Sequence, residues 1–346
     1  MAGPVRVAIV GCGFFARNHL FSWKDLAVEG VELVAVCDID PAKAKAAAEE
    51  FGVPRWYSDV DEMLEKEQID LIDIITRMDT HRMMVEKTLG RRIATIVQKP
   101  FAPTWEDAVA MTRMAEETGL YLAVHENFRF QTPLLKAAEA VRAADIGTPT
   151  WGRITFRTGF DVYKTQPYFH DEERFIILDL GVHTLDIARV MLGEVAHVYA
   201  EIQTRNAKSR GEDTATVLLR HVSGAVSVVD FSYESRKVPD TFPETLMEIE
   251  GPKGAIVVTP GLTMRVNVGA DIRETDIGAP LLHWTARPWH VAQESVLSTC
   301  RHLLEAYRAG KPADISALDN LKTFALAEAA YESAATGRAV KPRTYG

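Results

Sequence analysis

The sequence predicts an α/β protein with an N-terminal doubly wound domain and a C-terminal α+β domain that carries an open, mainly antiparallel sheet. Three observations predict this fold class. Apolar, β-branched runs alternate with helical segments up to about residue 125, a glycine motif follows the first run, and strands without regular helices between them dominate the later sequence. At roughly 100–200 residues per domain, 346 residues favour two domains. We therefore place the domains at residues 1–125 and 126–346.

Five short runs in the first domain are predicted strands. They are too continuously apolar for strands with one exposed face, so both faces should be covered, as in a parallel sheet. These runs are residues 5–10, 31–38, 69–76, 93–98 and 120–125. Helices are predicted between them at 41–51, 59–66, 82–89 and 104–118. Asp40 and Thr104 are suited to cap two of these helices, and Gly52 and Gly119 are suited to end them.

The second domain is predicted to be built on antiparallel strands. They fall at 151–158, 195–205, 214–221, 225–232 and 245–250, with helices near 134–144, 179–192, 291–309 and 320–336. The Ser223-Gly224 pair between two of the strands is typical of a hairpin. An open sheet with few helices to cover it needs another partner, so we expect a homodimer or homotetramer.

Composition excludes several classes of protein. The formal net charge is −9, whereas nucleic-acid binders usually carry a basic face. The N-terminus lacks the basic and apolar regions of a secretory signal, and no run of about 18 apolar residues could span a membrane. Three cysteines without disulfide or metal-ligand spacing, Cys12, Cys37 and Cys300, favour a reduced, cytoplasmic protein.

A glycine motif follows the first predicted strand. Gly11-Cys12-Gly13-Phe14-Phe15-Ala16 would allow a tight turn and a close approach of the backbone to a pyrophosphate at a helix N-terminus, which predicts a Rossmann domain. An ordinary strand–helix turn is the alternative. Asp38 ends the second strand, where an acid binds the adenosine ribose and repels a 2′-phosphate, so NAD is favoured over NADP. Alternatively, Asp38 only opens the Asp38-Ile39-Asp40 loop.

Two further elements carry candidate chemistry. Lys99 follows the predicted strand at 93–98, at the carboxyl edge where an open α/β sheet binds its ligand. Asp179 and His183 are four residues apart, which places an acid and a base on one helix face. A buried structural histidine is the ordinary alternative for His183, and Asp186 could cap the helix or pair with Arg189.

Other polar and aromatic residues make weaker candidates. Arg157, Tyr163 and Tyr168 precede the Asp179 helix in a region that could reach a substrate, with a structural role equally open. His283, Trp284, Trp289 and His290 form an aromatic group before the last helices, for which packing or an interface is favoured over substrate stacking. No histidine pair has zinc-site spacing with a third ligand, so we expect no metal.

This ordered set of motifs resembles the glucose-fructose oxidoreductase / inositol dehydrogenase / MocA (Gfo/Idh/MocA) family over nearly the whole chain. The resemblance rests on the glycine motif, on Gln98-Lys99-Pro100 as a variant of a Glu-Lys-Pro tripeptide, and on the spacing of Asp179 and His183. Further matches are Thr76 with His81, Asn127-Phe128-Arg129-Phe130, and the ending Gly310-Lys-Pro with Asp319, Ser333 and Gly337. The general appearance of residues 166–192 resembles D-apiose dehydrogenases within that family.

The resemblance implies hydride transfer between a sugar or polyol and NAD(P), at a site between the two domains. It maps the family's lysine to Lys99, the acid to Asp179 and the general base to His183. It maps the nicotinamide side to Thr76, His81 and Asn127, and it also assigns Gln98 and Lys99 to cofactor binding. Two departures stand out: Gln98 replaces a glutamate and so removes a charge beside the nicotinamide ribose, and Ile176-Ile177 replaces a glycine pair.

Charge then predicts a mechanism. A histidine such as His183 is suited to accept the proton of an alcohol, and Lys99 could stabilise the developing alkoxide. We therefore expect an NAD-dependent dehydrogenase that oxidises an aldose, for example the pentose D-apiose, at C1 to a lactone. The alternatives are a glycosidase that uses NAD transiently and a non-catalytic NAD-binding sensor, which would be expected to lose the lysine or the histidine.

Overall fold

The computed structural model describes residues 3–345, so residues 1, 2 and 346 of the predicted domain ranges lie outside it. The chain divides into two compact units. The first unit contains the residues up to Asn127 together with Val296–Leu321. The second unit contains Phe128–Ser295 together with the chain from Lys322 onward.

The first unit is built on a parallel sheet of six strands in the order β3-β2-β1-β4-β5-β6. The strands are β1 Val5–Val10, β2 Val31–Cys37, β3 Trp56–Tyr57, β4 Leu71–Ile74, β5 Ala94–Gln98 and β6 Leu122–His125. The helices are α1 Ala16–Asp25, α2 Pro41–Phe51, α3 Val60–Lys66, α4 His81–Gly90 and α5 Trp105–Thr118. This order reverses direction between β1 and β4, which is the doubly wound arrangement that the sequence predicts.

The helix ends of this unit follow from local chemistry. Asp40 accepts a hydrogen bond from the backbone of Ala42 at the start of α2, and Gly52 ends that helix with φ +69°. Thr104 caps α5 in the same way, and Gly119 ends it with φ +65°. These predictions are confirmed, because capping depends on a few adjacent residues and not on distant packing.

The second unit contains a sheet of eight strands in the order β14-β13-β12-β11-β7-β10-β9-β8. The strands are β7 Trp151–Arg157, β8 Val195–Gln203, β9 Thr214–His221, β10 Val226–Ser232, β11 Leu246–Gly251, β12 Gly254–Thr259, β13 Thr263–Val268 and β14 Asp271–Asp276. Within the part of this sheet that the structure describes, only β7 and β10 pair in parallel. Strands β9 and β10 form the predicted hairpin. The mainly antiparallel sheet is therefore confirmed.

Helices α6 Thr132–Arg142 and α7 Val182–Leu192 belong to the second unit, whereas α8 His290–Arg308 and α9 Ala317–Thr336 each contain a unit boundary. Gly152 of β7 faces α7, since a Cβ atom at this position would lie 3.0 Å from the side chain of Leu192, the last residue of that helix. Residues two apart on a strand share a face. Ile154 and Phe156 share that buried face.

The domain ranges predicted from the sequence need correction. Residues 296–321 were assigned to the second domain, yet they belong to the first unit. There the backbone of Val124 in β6 donates to the carbonyl of Ile315, and the hydroxyl of Tyr121 donates to the carbonyl of Leu303. Strands β3 and β12–β14 were also missed, since they are short or lie beyond the last run that the sequence pattern marked. Among the described residues, no helix has both the length and the apolar character needed to span a membrane.

Candidate active site

The glycine motif forms a tight turn between β1 and α1. Gly11 has φ +94°, and a Cβ atom there would lie 2.6 Å from the carbonyl oxygen of Ile75, so no other residue fits. A Cβ atom at Gly13 would meet nothing within 4 Å. Phe14 is 57% exposed, and Phe15 occupies the N-cap position of α1 without a capping side-chain bond. The turn thus presents backbone amides at a helix N-terminus, where an anionic group binds.

Asp38 lies beside this turn at the end of β2. One carboxylate oxygen, Oδ2, accepts a hydrogen bond of 2.7 Å from the backbone N–H of Cys12, and Oδ1 accepts one of 2.9 Å from the backbone of Asp40. Each carboxylate oxygen can accept a second bond. The carboxylate is therefore fixed against the glycine turn and retains capacity to accept bonds from the hydroxyls of a ribose.

The three residues assigned to the nicotinamide side by resemblance have different environments. Thr76 is half-buried, and its hydroxyl contacts that of Thr80 at 2.6 Å. His81 is fully buried, with Nδ1 3.0 Å from the carbonyl of Phe101 and Nε2 3.2 Å from that of Thr76. Burial lowers its pKa against the opposing effect of these carbonyls. Asn127 is also buried, just after β6.

Lys99 and Gln98 are placed by β5. Gln98 is its last residue and is buried, whereas Lys99 is half-buried. The side-chain oxygen of Gln98 accepts a hydrogen bond of 2.7 Å from the backbone N–H of Lys99, and its amide nitrogen lies 3.0 Å from Nε2 of His19. The side chain of Gln98 is thus engaged within the first unit.

Asp179 lies in a π-helical turn, Ile177–Gly181, which precedes α7. The sequence predicted a continuous helix here; a π turn of this kind inserts into the helical ladder and often occurs at functional sites. The hydroxyl of Tyr233 donates a 2.7 Å hydrogen bond to Oδ2 of Asp179. Burial and the Asp179 carboxylate raise the pKa of Tyr233 well above its ordinary value, so the phenol keeps its proton.

The π turn packs closely on the sheet because of Gly181. A Cβ atom at this position would lie 2.8 Å from the ring of Phe231 in β10. Before the turn, the Glu212 carboxylate accepts hydrogen bonds from the backbone N–H groups of Phe175 and Ile177, and from the hydroxyl of Tyr331. These contacts fix the start of the segment that carries Asp179.

His183 lies in the first turn of α7 and is buried. Its ring stacks on that of Phe128, with centroids 3.8 Å apart and planes at 5°. Next to Phe128, Arg129 forms a bidentate ion pair with the fully buried Asp186, which Arg189 also contacts at 3.5 Å. The predicted Asp186–Arg189 pair is present. Sequence reasoning names Phe128 and Arg129 only as part of a family motif, without their contacts here, and it misses Tyr233 and Glu212.

The structure does not bring Arg157 together with His183. Arg157 alternates with Phe156 along β7, and the ring of Phe156 faces Phe128 at a centroid distance of 6.0 Å. Arg157 therefore lies on the opposite face of the sheet, where it pairs with Asp230 at 3.5 Å. Its assignment as a substrate-binding residue stays a prediction, and the contact that the structure shows is the pair with Asp230.

Tyr163 lies in the second unit beside a cavity of about 600 Å³. Its ring stacks on His170 at 4.1 Å, and its hydroxyl accepts a hydrogen bond from Ser209. Tyr233, the partner of Asp179, lines the same cavity. Of the predicted aromatic group, Trp289 packs edge-to-face on Phe242 at 4.8 Å, which agrees with a packing role for this residue.

The fold also assembles a group that sequence spacing does not reveal. His19, His125 and Cys300 place their ring nitrogens and sulfur within 4.8 Å of one another in the first unit, and all three are buried. The sequence predicts no metal because these residues are 106 and 175 positions apart (125 − 19 and 300 − 125).

Comparisons with known proteins agree with this geometry. The model of the oxidoreductase family GFO/IDH/MocA, with an NAD-binding Rossmann fold, matches residues 5–126, and the model of the GFO/IDH/MocA C-terminal domain matches residues 134–257. A D-apiose dehydrogenase of Rhizobium rhizogenes is 46% identical over 333 residues, which are 96% of each chain. Another D-apiose dehydrogenase, from Paraburkholderia graminis, is 44% identical over 96% of this chain and 88% of its own.

A solved structure has the same fold throughout. It is an oxidoreductase from Agrobacterium radiobacter in complex with NAD⁺, L-tartaric acid and magnesium, 46% identical, with a TM-score of 0.95 over 97% of this chain and 98% of that one. The relatives are named as dehydrogenases, which does not favour a glycosidase or a sensor. From its glycine turn, its Asp38, its two sheets and these matches, the chain belongs to the GFO/IDH/MocA family of NAD-dependent oxidoreductases.

Proposed function

We propose that this enzyme oxidises D-apiose, or a pentose of closely similar shape, at C1 to the lactone with NAD as the oxidant. The observation that carries the proposal is the 46% identity with a D-apiose dehydrogenase over 96% of both chains. Lys99, Asp179 and His183 are present at the positions that the family resemblance assigns to catalysis.

The first unit fits NAD. The Gly11–Gly13 turn leaves room for a pyrophosphate, and the fixed Asp38 carboxylate can accept bonds from ribose hydroxyls while repelling a 2′-phosphate. When bound, NAD accepts the hydride from C1. His81 contributes by holding Thr76 against the Phe101 segment, and Asn127 and Phe15 complete the surroundings of the dinucleotide.

The second unit supplies the base. His183 accepts the proton of the C1 hydroxyl as the hydride leaves, and its stack on Phe128 keeps the ring in one orientation. Lys99 donates a hydrogen bond to the same oxygen and stabilises the negative charge that develops there. The Asp179–Tyr233 pair and Tyr163 bind other hydroxyls of the sugar, a role supported by the cavity that both tyrosines line.

A substrate panel tests this proposal. NADH formation is followed with D-apiose, D-xylose, D-ribose, L-arabinose and myo-inositol, with Lys99→Met as the inactive control. We expect the highest kcat/KM with D-apiose and a lactone as the first product. A higher kcat/KM with myo-inositol would contradict oxidation of a pentose, and sugar turnover without net NADH would contradict a dehydrogenase.

The cofactor preference has its own test. Asp38→Ala removes the carboxylate that binds ribose hydroxyls and repels a 2′-phosphate, so we expect NAD to bind about 10-fold more weakly and the preference over NADP to narrow. Fluorescence titration with NADH and NADPH measures both affinities. If the ratio of the NADH and NADPH affinities did not change, Asp38 would have only a structural role in its loop.

We also propose that the enzyme is a homodimer or homotetramer in the cytoplasm. Tyr199, Leu218 and Val228 lie side by side on one face of neighbouring strands, and Leu218 is 44% exposed. An apolar row of this kind on an open sheet supports burial against a second copy. Its three cysteines are free thiols, as expected in a reducing compartment. Light scattering that gave a mass near 38 kDa at micromolar concentration would contradict the oligomer.

A further inference from the structure

A chain of hydrogen bonds runs through the interior of the first unit and ends at Lys99. Asp73 is fully buried in β4, next to β5 in the sheet. Its Oδ2 atom contacts Nδ1 of His19 and Nε1 of Trp23, each at 2.7 Å. His19 and Trp23 are four residues apart on α1, so both side chains reach the same carboxylate.

The donors and acceptors in this chain can be assigned in only one direction. The backbone N–H of Lys99 is a donor, so the side-chain oxygen of Gln98 must face it. The amide nitrogen of Gln98 therefore faces Nε2 of His19 and donates to it. Because Nε2 accepts, the single ring proton of His19 lies on Nδ1, which donates to Asp73.

The surroundings stabilise the same assignment. Nε1 of Trp23 donates to the same Oδ2 atom that Nδ1 of His19 contacts, so Asp73 accepts two hydrogen bonds at one oxygen, as a carboxylate can. The His125 ring lies 4.2 Å from that of His19 and limits its rotation. Burial raises the pKa of Cys300, which contacts His125 at 3.6 Å, well above its ordinary value, so the thiol keeps its proton.

We propose that Asp73, His19 and Gln98 form a positioning relay that orients the backbone of Lys99 and thereby its ammonium group. The relay rests on the catalytic role of Lys99 in the proposed function. The relay explains how a lysine that follows the end of a strand is held in one place. A displacement of about 1 Å at a reacting group can cost roughly 100-fold in rate.

The relay also argues against metal binding by the buried group of His19, His125 and Cys300, since it uses His19 for hydrogen bonds. A metal would need the Nε2 lone pair of His19, which already accepts the Gln98 amide. It would also need Cys300 as a thiolate. The same hydrogen bonds that orient Lys99 thus occupy the ligand atom.

The central test uses two substitutions at Gln98. Gln98→Leu removes both bonds, and we expect kcat to fall about 10- to 100-fold with KM and the NADH dissociation constant within about 2-fold of wild type. Gln98→Glu keeps the bond from Lys99 but replaces the donor opposite Nε2 of His19 with a carboxylate oxygen, so the chain is restored only when one extra proton is bound between that oxygen and Nε2. Its kcat should therefore approach that of wild type at low pH and fall as pH rises, a dependence that a merely structural role would not create.

Thr95→Val is the matched control. Thr95 is buried on the same strand and donates to the Thr88 hydroxyl, outside the relay. It should lower the melting temperature as Gln98→Leu does while leaving kcat and its pH profile unchanged. If Gln98→Leu weakened NADH binding instead of kcat, Gln98 would contact the cofactor and the relay would be wrong.

A spectroscopic measurement tests the relay without using turnover. Nitrogen-15 NMR of the imidazole in the whole enzyme should show His19 protonated on Nδ1 alone, and the Lys99 amide should exchange with solvent faster in Gln98→Leu. A proton on Nε2, or one equivalent of tightly held zinc by elemental analysis, would overturn the relay. Normal turnover by Lys99→Met with the His19 signature intact would instead reject the catalytic role of Lys99 and leave the hydrogen-bond chain standing.

Discussion

Lys99 and His183 lie in different units and at different kinds of secondary structure. Lys99 follows the buried strand β5 and is held through its backbone by the amide of Gln98. His183 lies at the start of α7 and is held by an aromatic stack, with the Arg129–Asp186 ion pair behind it. In a hydrogen-bond chain each donor must face an acceptor, so the chain is broken when one proton changes position. The orientation of a stacked ring does not depend on the position of a proton; it is lost when the neighbouring side chain becomes smaller.

The largest expected effect comes from the two side chains themselves. Lys99→Met and His183→Gln should each lower kcat by about 10²- to 10⁴-fold and leave NADH affinity nearly unchanged, since the proposed function assigns both groups to the reacting oxygen. Steady-state kinetics and NADH titration measure the two effects. The double variant should cost less than the product of the single losses, because both serve one proton transfer.

Near-normal turnover by His183→Gln would show that another group is the base. Lys164→Met provides a matched control for the lysine variant, since Lys164 lines the cavity of the second unit without being assigned to catalysis. It should affect KM at most.

The next effect concerns stability. Arg129→Met leaves the buried Asp186 carboxylate with Arg189 and the Thr323 hydroxyl, and it should destabilise the protein by about 3 kcal/mol in chemical unfolding. Arg153→Met is the control: Arg153 also pairs with an aspartate, Asp230, but is about half exposed. Its cost should be about 1 kcal/mol or less. Equal losses in the two variants would show that the exposure of the arginine does not set the cost of removing it.

The same ion pair predicts a pH dependence. Burial opposes ionisation of Asp186, but Arg129 and Arg189 hold its pKa below the ordinary value. A carboxyl with a lowered folded-state pKa stabilises the fold above the unfolded-state pKa, and this stabilisation is lost as pH falls through the folded-state value. Wild type should therefore lose more stability on acidification than Arg129→Met.

The smallest effect is expected at the ring that stacks on His183. Phe128→Leu removes the stack on His183, worth about 0.5–1.5 kcal/mol, so kcat should fall about 3- to 10-fold without the new pH dependence expected for Gln98→Glu. Phe169→Leu removes a comparable buried contact, with Phe175 at 4.6 Å, and should change stability but not kcat. A pH-dependent loss in Phe128→Leu would mean that packing and protonation are coupled at His183.

The sequence predicts what depends on neighbouring residues. Helix caps at Asp40 and Thr104, the glycine turn and the two kinds of sheet are all confirmed, because each follows from local propensity or from the period of the apolar pattern. Strand alternation could have placed Arg157 on the face opposite Phe156 once the buried face of β7 was known. The face itself is set by α7, which lies far along the chain, so the pattern alone did not settle it.

Contacts distant in sequence could not be predicted in this way. The pairing of Phe128 with His183, of Tyr233 with Asp179 and of His19 with Asp73 spans 54 or 55 positions (183 − 128, 233 − 179 and 73 − 19). No local propensity encodes such partners, since they meet only after the sheets have formed. The π turn at Asp179 is similarly a product of tertiary packing, with Gly181 against Phe231.

The return of residues 296–321 to the first unit has a consequence for synthesis of the chain. Domains often fold as they leave the ribosome, but this unit lacks part of its structure until residue 321 has emerged. In a nascent chain that ends near Asn127, β6 is an edge strand without the Ser316 bridge at Ala123. Unpaired edges of this kind promote aggregation. Fragments cut at residue 127 and chimaeras joined there should therefore aggregate unless they also carry residues 296–321.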